Sequence, residues 1–243
     1  MTDLTKFTAI ITGASTGLGA AIGRTLAKAG VKVVLAARRT AELEKVVAEI
    51  TSEGGKATAL NTDVTNEQEV AALFAHAQAT FGSVDILINN AGMTILGATE
   101  DLSLESWNKV IGVNLTGAFL CSREALRIMK AQHSGRIISI GSISSRVPRH
   151  NTIAYTTTKF GLDGMTHSLA LDGRDYGVSA SVIHPGNIET PFWDGRKEYL
   201  DREGCMKPED VANVVLAMVS LPPEVNLYHS FIIPVRQPLL GRG

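Results

Sequence analysis

The most constraining feature of this sequence is a set of short apolar runs that do not alternate. Val31-Lys32-Val33-Val34-Leu35-Ala36, Val84-Asp85-Ile86-Leu87-Ile88 and Arg136-Ile137-Ile138-Ser139-Ile140 are too short for helices and too continuously apolar to leave one face in water. Strands of this kind are covered on both faces, which points to a parallel sheet flanked by helices. The stretches between them carry helical periodicity, as crossover helices would. Strands are expected near 7 to 12, 31 to 36, 57 to 61, 84 to 89, 135 to 140, 179 to 184 and 229 to 233. Helices are expected near 17 to 29, 41 to 53, 66 to 81, 103 to 131, 153 to 173 and 208 to 220. Gly30 falls where the first helix should end, and Pro208 with Glu209 and Asp210 makes a favourable first turn for the last. The expected fold is one α/β domain over residues 1 to 243: a doubly wound, parallel seven-stranded sheet with helices on both faces.

Composition narrows the partners. With 243 residues the chain can bury one substantial core, and a net charge of -1 from interspersed signs offers no broad basic surface for nucleic acid. No apolar stretch approaches bilayer length, so no membrane partner is expected, and the short polar start Met1 to Lys6 leaves no room for a secretory leader. Cys121 and Cys205 show no CxxC spacing and no His pair nearby; they read as free thiols, with no metal expected and the cytoplasm as the expected location.

The first strand runs into Thr12-Gly13-Ala14-Ser15-Thr16-Gly17-Leu18-Gly19 and then directly into a helix. Glycines at such a turn let the main chain approach a pyrophosphate and aim helix N–H groups at it, as in a Rossmann-type fold. Folds of this class that choose NAD usually carry an acid at the end of the second strand for the ribose 2′-hydroxyl. Here that region reads Leu35-Ala36-Ala37-Arg38-Arg39, with two guanidinium groups where a 2′-phosphate would lie. The expected cofactor is therefore NADP(H), with Arg38 as main contact, Arg39 beside it and Ser15 as a second partner.

Tyr155 and Lys159 stand at i and i+4 of a helical segment and share a face. An ammonium beside a phenol favours the phenolate and lowers a pKa that is ordinarily about 10, toward the range useful for proton transfer. The pair acquires meaning from its company. The chain contains Thr12-Gly13-x-x-x-Gly17-x-Gly19, Asp63-Val64 after the third strand and Asn89-Asn90-Ala91-Gly92 after the fourth. It also contains Asn114 within the fourth helix, Ser142 after the fifth strand, Tyr155-x-x-x-Lys159, and Pro185-Gly186 after the sixth. In this ordered set, and over essentially the whole chain, the sequence resembles the classical short-chain dehydrogenase/reductase family.

The resemblance implies an NADP(H)-dependent oxidoreductase that interconverts a carbonyl and an alcohol. It makes Tyr155 the general acid or base, Lys159 the holder of the nicotinamide ribose, Ser142 the hydrogen-bond donor to the substrate oxygen, and Asn114 the holder of a relay water. It assigns cofactor contacts to Gly13, Ser15, Thr16, Gly17, Leu18 and Gly19, to Asp63, Val64, Asn90, Ala91 and Gly92, and to Pro185, Gly186, Ile188 and Thr190. Ser144 and Ser145 are weaker candidates for the role of Ser142. A small-molecule carbonyl or alcohol is the expected substrate, with Met93, Thr94, Ile143, Val147, His150, Ile188, Phe192 and Trp193 lining its pocket and Arg146 or Arg149 as a carboxylate anchor. The resemblance also implies a homodimer or homotetramer. Where many relatives read Ser-Ser, this chain has Gly141-Ser142; its ending Phe231-Ile232-Ile233-Pro234-Val235-Arg236-Gln237-Pro238 is similar to NADP-dependent 3-hydroxy acid and broad-specificity carbonyl reductases. A 3-oxoacyl-thioester reductase and a non-catalytic dinucleotide sensor are the alternatives.

Overall fold

Both faces of every central strand are apolar in this protein, and the computed structural model, which describes residues 3–190 and 197–239, shows what covers them. The strands are β1 (Thr8–Thr12), β2 (Lys32–Ala37), β3 (Ala57–Asn61), β4 (Ile86–Asn89), β5 (Gly135–Ile140), β6 (Val178–Pro185) and β7 (His229–Ile232). All pair in parallel in one sheet of order β3-β2-β1-β4-β5-β6-β7. Side chains alternate between two cores. Ala9, Ile11, Val33 and Leu35 face α1 (Gly17–Lys28), α2 (Thr40–Ser52) and α8 (Pro208–Ser220). Ile10, Val34, Leu87 and Ile137 face α3 (Glu67–Phe81) and α5 (Gly117–Gln132).

The chain leaves β1 toward β2 on one side and returns to β4 on the other, so the crevice at their carboxyl ends is where a ligand of a doubly wound sheet binds. No described helix is long and apolar enough to cross a membrane.

Two elements depart from expectation. The helix expected over 103 to 131 divides into α4 (Leu104–Ile111) and α5, joined by a π-helical turn, Gly112–Thr116, closed by Gly117 N–H donating to Gly112 O. Poor helix formers at both ends of the turn, Gly112 and Gly117, lower the cost of widening it. A short helix, α7 (Lys197–Glu203), stands where no helix is expected; α6 (Ile153–Gly173) matches its expected range.

Candidate active site

The carboxyl ends of the strands open into a cavity of about 630 Å³. One end is built by the glycine loop. Gly13 sits at φ 66°, and a Cβ there would lie 2.8 Å from Ala91 Cα; a Cβ on Gly19 would lie 2.4 Å from Gly13 O. Glycine is therefore required at both positions, and the main chain itself becomes cavity wall together with Ser15, Thr16, Gly17 and Leu18. Asn90 braces this loop from β4, its Nδ2 donating to Thr12 O at 2.9 Å and Gly13 O at 3.2 Å. No side chain caps α1. Thr16 Oγ1 instead accepts from Arg39 Nη2 at 2.7 Å, and Ser15 Oγ from the same nitrogen at 3.0 Å. A helix N-terminus and a guanidinium thus share one corner, which suits an anion.

Arg38 lines the cavity beside it, with Asp63 and Val64. Burial pushes the Asp63 carboxyl up, but hydrogen bonds from Thr65 N–H (2.9 Å) and hydroxyl (2.7 Å), with Arg38 nearby, hold it below the usual value. Ala91 and Gly92 complete this wall, and Pro185, Gly186, Ile188 and Thr190 form the opposite one.

The other end carries the titratable groups. Tyr155 and Lys159 project from α6 into the cavity, and Lys159 Nζ lies 5.4 Å from the Tyr155 ring centroid. Lys159 is buried and donates to Ile140 O at 2.7 Å; burial alone brings its pKa down to about 8. Ser142 faces the same space from the turn after β5, its hydroxyl oxygen accepting from Ser144 N–H at 3.1 Å, so its own proton can point at a ligand.

Asn114 lies beneath, on the π-helical turn. Its Oδ1 accepts from Met93 N–H at 2.8 Å, while Nδ2 donates to Met93 O at 2.9 Å and Thr158 Oγ1 at 3.1 Å. The amide thus pairs with Met93 as a neighbouring strand would and ties that cavity segment to α6.

The remaining expected residues divide. Met93, Thr94, Ile143 and Ile188 line the cavity, whereas Val147, whose N–H donates to Ile143 O at 2.8 Å in the turn after β5, lies outside the lining. His150 corrects the expectation: it is exposed and outside the lining, because Asn151 adopts a left-handed φ of 61° and Thr152, with Oγ1 bonded to Arg149 O at 2.7 Å, turns inward instead. Phe192 and Trp193 lie outside the described residues. Arg149 lines the cavity but pairs with Glu203 of α7, and Arg146 pairs with Asp163 at 2.7 Å away from the lining. Ser145 is buried with its hydroxyl 3.0 Å from His184 Nδ1, which removes it as a rival to Ser142.

Contributors that carry no motif in the sequence, Val113 and Asn187 among them, also line the cavity. Asn187 N–H donates to Gln237 Oε1 at 2.8 Å, and Gln237 returns a bond to Asn187 Oδ1 at 2.8 Å, so the C-terminal segment locks the loop after β6. Among the described residues, Asp163, His184 and His229 place possible ligand atoms within 4.8 Å of one another, but the Arg146 guanidinium on Asp163 already supplies the positive charge there.

An extended groove suited to an anion at one corner, with a phenol, an ammonium and a hydroxyl at the other end, fits a dinucleotide with a small molecule beside its reactive ring. The comparisons with known proteins agree. The short chain dehydrogenase family model matches residues 7–200. An uncharacterized oxidoreductase of Staphylococcus aureus (strain USA300) is 35% identical over 235 residues, covering 97% of this chain and all of that one. A 3-oxoacyl-[acyl-carrier-protein] reductase of Synechocystis is 35% identical over 228 residues, 91% of this chain and 92% of its own. A variant of actinorhodin polyketide ketoreductase, solved with NADPH, superposes with a TM-score of 0.89 at 29% identity, covering 96% of this chain and 98% of that one. The chain belongs to the classical short-chain dehydrogenase/reductase family: it is an oxidoreductase that binds a nicotinamide dinucleotide and acts on small molecules.

Proposed function

We propose that this oxidoreductase interconverts a carbonyl and an alcohol with NADP(H), Tyr155 exchanging the proton. The observation that carries the reading is the meeting of Ser142, Tyr155 and Lys159 on one cavity whose far corner is lined by Arg38, Arg39 and the glycine loop. The cradle around Gly13 and Gly19, which any Cβ would fill, fits the pyrophosphate of a dinucleotide, and the two arginines with Ser15 suit a 2′-phosphate. Bound there, the cofactor supplies or accepts the hydride.

The chain's own groups handle the proton. Protonated Lys159 favours the phenolate form of Tyr155, so the hydroxyl gives up its proton to a carbonyl undergoing reduction more readily than free tyrosine would. Ser142 donates a hydrogen bond to the same oxygen and stabilises the charge that grows on it. Asn114 keeps the Met93 segment and α6 at a fixed distance from one another. That NADPH accompanies the related ketoreductase supports the cofactor choice. A 3-oxoacyl thioester is the second reading for the substrate, favoured by the Synechocystis relative.

The test is NADPH consumption with a panel of ketones, dicarbonyls and an acetoacetyl thioester, by the wild type and by Tyr155→Phe. Turnover should fall by about two to four orders of magnitude in the variant, with NADPH affinity largely intact. Near-normal turnover would refute the role of Tyr155, and preference for the thioester would select the second reading.

A further inference from the structure

Behind the cavity wall, His184 of β6 is completely buried between the turn after β5 and Asp163 of α6. Its ring stacks on His229 and Phe231 of β7, with centroids 4.6 and 4.7 Å away. Nε2 lies 3.1 Å from Asp163 Oδ1 without hydrogen-bond geometry between them, and Arg146 Nη1 holds the other carboxylate oxygen at 2.7 Å. A bare Nε2 would set its lone pair against that negative charge, so the carboxylate favours the ring proton on Nε2, the tautomer in which Nδ1 is an acceptor. Three atoms lie within reach of Nδ1: Ser142 N–H at 3.2 Å and the Ser145 hydroxyl at 3.0 Å, which donate to it in that tautomer, and Ser142 O at 3.0 Å. The fit is tight, since a Cβ at position 141 would lie 2.4 Å from Nδ1. Glycine at 141 is thus the counterpart of histidine at 184.

We propose that His184, oriented by Asp163, is a positioning residue for Ser142: it grips the turn after β5 through Ser142 N–H and the Ser145 hydroxyl and leaves the Ser142 hydroxyl facing the cavity. Asp163 occupies the same face of α6 as Tyr155 and Lys159, at i+8 and i+4 from them. The helix that presents the phenol therefore also sets, through His184, the turn that presents the serine. Two hydrogen-bonding groups on separate elements are kept in register by one rigid body, which the chemistry needs because misplacement by about 1 Å costs on the order of 100-fold in rate. The inference rests on the function proposed above.

A double-mutant cycle tests it. His184→Ala should lower kcat for carbonyl reduction roughly 10-fold or more while leaving the Kd for NADPH, read by fluorescence, unchanged. In a Ser142→Ala background the same substitution should lower kcat by no more than about twofold, since the group it positions is gone. An equal loss in both backgrounds, or a parallel loss of NADPH affinity, would overturn the proposal by making His184 a general packing residue. His184→Asn keeps an acceptor on Cγ and should recover most of the kcat lost in the alanine variant; failure to recover any counts against the contact to Ser142. The imidazole nitrogen spectrum of the wild-type protein, assigned by the signals absent from His184→Asn, should show a proton on Nε2 and an accepting Nδ1. The opposite tautomer, donating to Ser142 O at 3.0 Å, would overturn the proposal directly. If the wild type reduces no carbonyl, the proposed function falls, and the nitrogen spectrum still decides the positioning contact.

Discussion

Arg39 joins two parts of the site that are far apart in sequence, since one of its nitrogens bonds both hydroxyls of the glycine loop, Ser15 and Thr16. Arg38 stands beside it on the cavity wall, close enough to lower the Asp63 carboxyl. From its place at the end of β2, Arg38 is the expected principal partner of a 2′-phosphate; Arg39 lies in the same corner and holds the hydroxyl partners. A charged hydrogen bond from this guanidinium to a 2′-phosphate would contribute about 1.5–3 kcal/mol, so Arg39→Ala should raise the KM for NADPH roughly 10-fold to 100-fold and affect the KM for NADH far less. Steady-state kinetics with both cofactors check this. Equal catalytic efficiency of the wild type with NAD and NADP would remove the basis for the choice.

At the scale of elements, α7 and the C-terminal segment act together on the loop after β6. Glu203 of α7 pairs with Arg149, accepts from Asn187 Nδ2 at 3.2 Å and from Gln237 Nε2 at 3.3 Å, and is buried. Burial pushes its carboxyl up, yet the bonds from Arg149, then Arg202 and Asn187, outweigh it and bring the pKa down to about 2 from 4.5. Because the folded value is the lower one, the unfolded chain binds more protons between the two. The stabilisation is complete above pH 4.5 and is lost as pH falls toward 2. Glu203→Gln should destabilise the neutral protein by about 3 kcal/mol, as breaking a buried pair does, and flatten the acid limb of the stability profile. Urea unfolding of both proteins at pH 7 and pH 3 reads this; an equal loss at both pH values would contradict it. Nothing in the sequence pairs Arg149 with Glu203 or Asp163 with His184, because each contact joins lone polar residues distant along the chain. The strands and the motif residues are legible because their signals are local: apolar runs, glycines at a turn, Tyr155 and Lys159 four apart. The π-helical turn is not legible, since one widened turn hardly disturbs the apolar period of 103 to 131, and the Asn114 amide that it turns inward bonds to Met93 rather than to a near neighbour.

On the whole molecule, one helical flank keeps large apolar side chains exposed. The two cores account for the inward faces of the helices, but Leu104 of α4, Phe119 of α5, and Phe160 and Leu171 of α6 remain 71%, 49%, 47% and 62% exposed. Fully burying one such side chain is worth about 1.5–3 kcal/mol, so leaving four in water is a standing cost that a second copy of the chain would relieve. A homodimer or homotetramer built on these helices is also what the family resemblance implies, and α6 would then be fixed from outside by the partner as it is from inside by His184. Light scattering on the purified protein at micromolar concentration should give at least twice the monomer mass. Phe119→Glu combined with Phe160→Glu should shift it toward monomer without unfolding it, because both rings are half exposed and neither belongs to a core. A wild type that is monomeric at that concentration, or a double variant whose mass does not change, would mean that these rings are not the assembly surface.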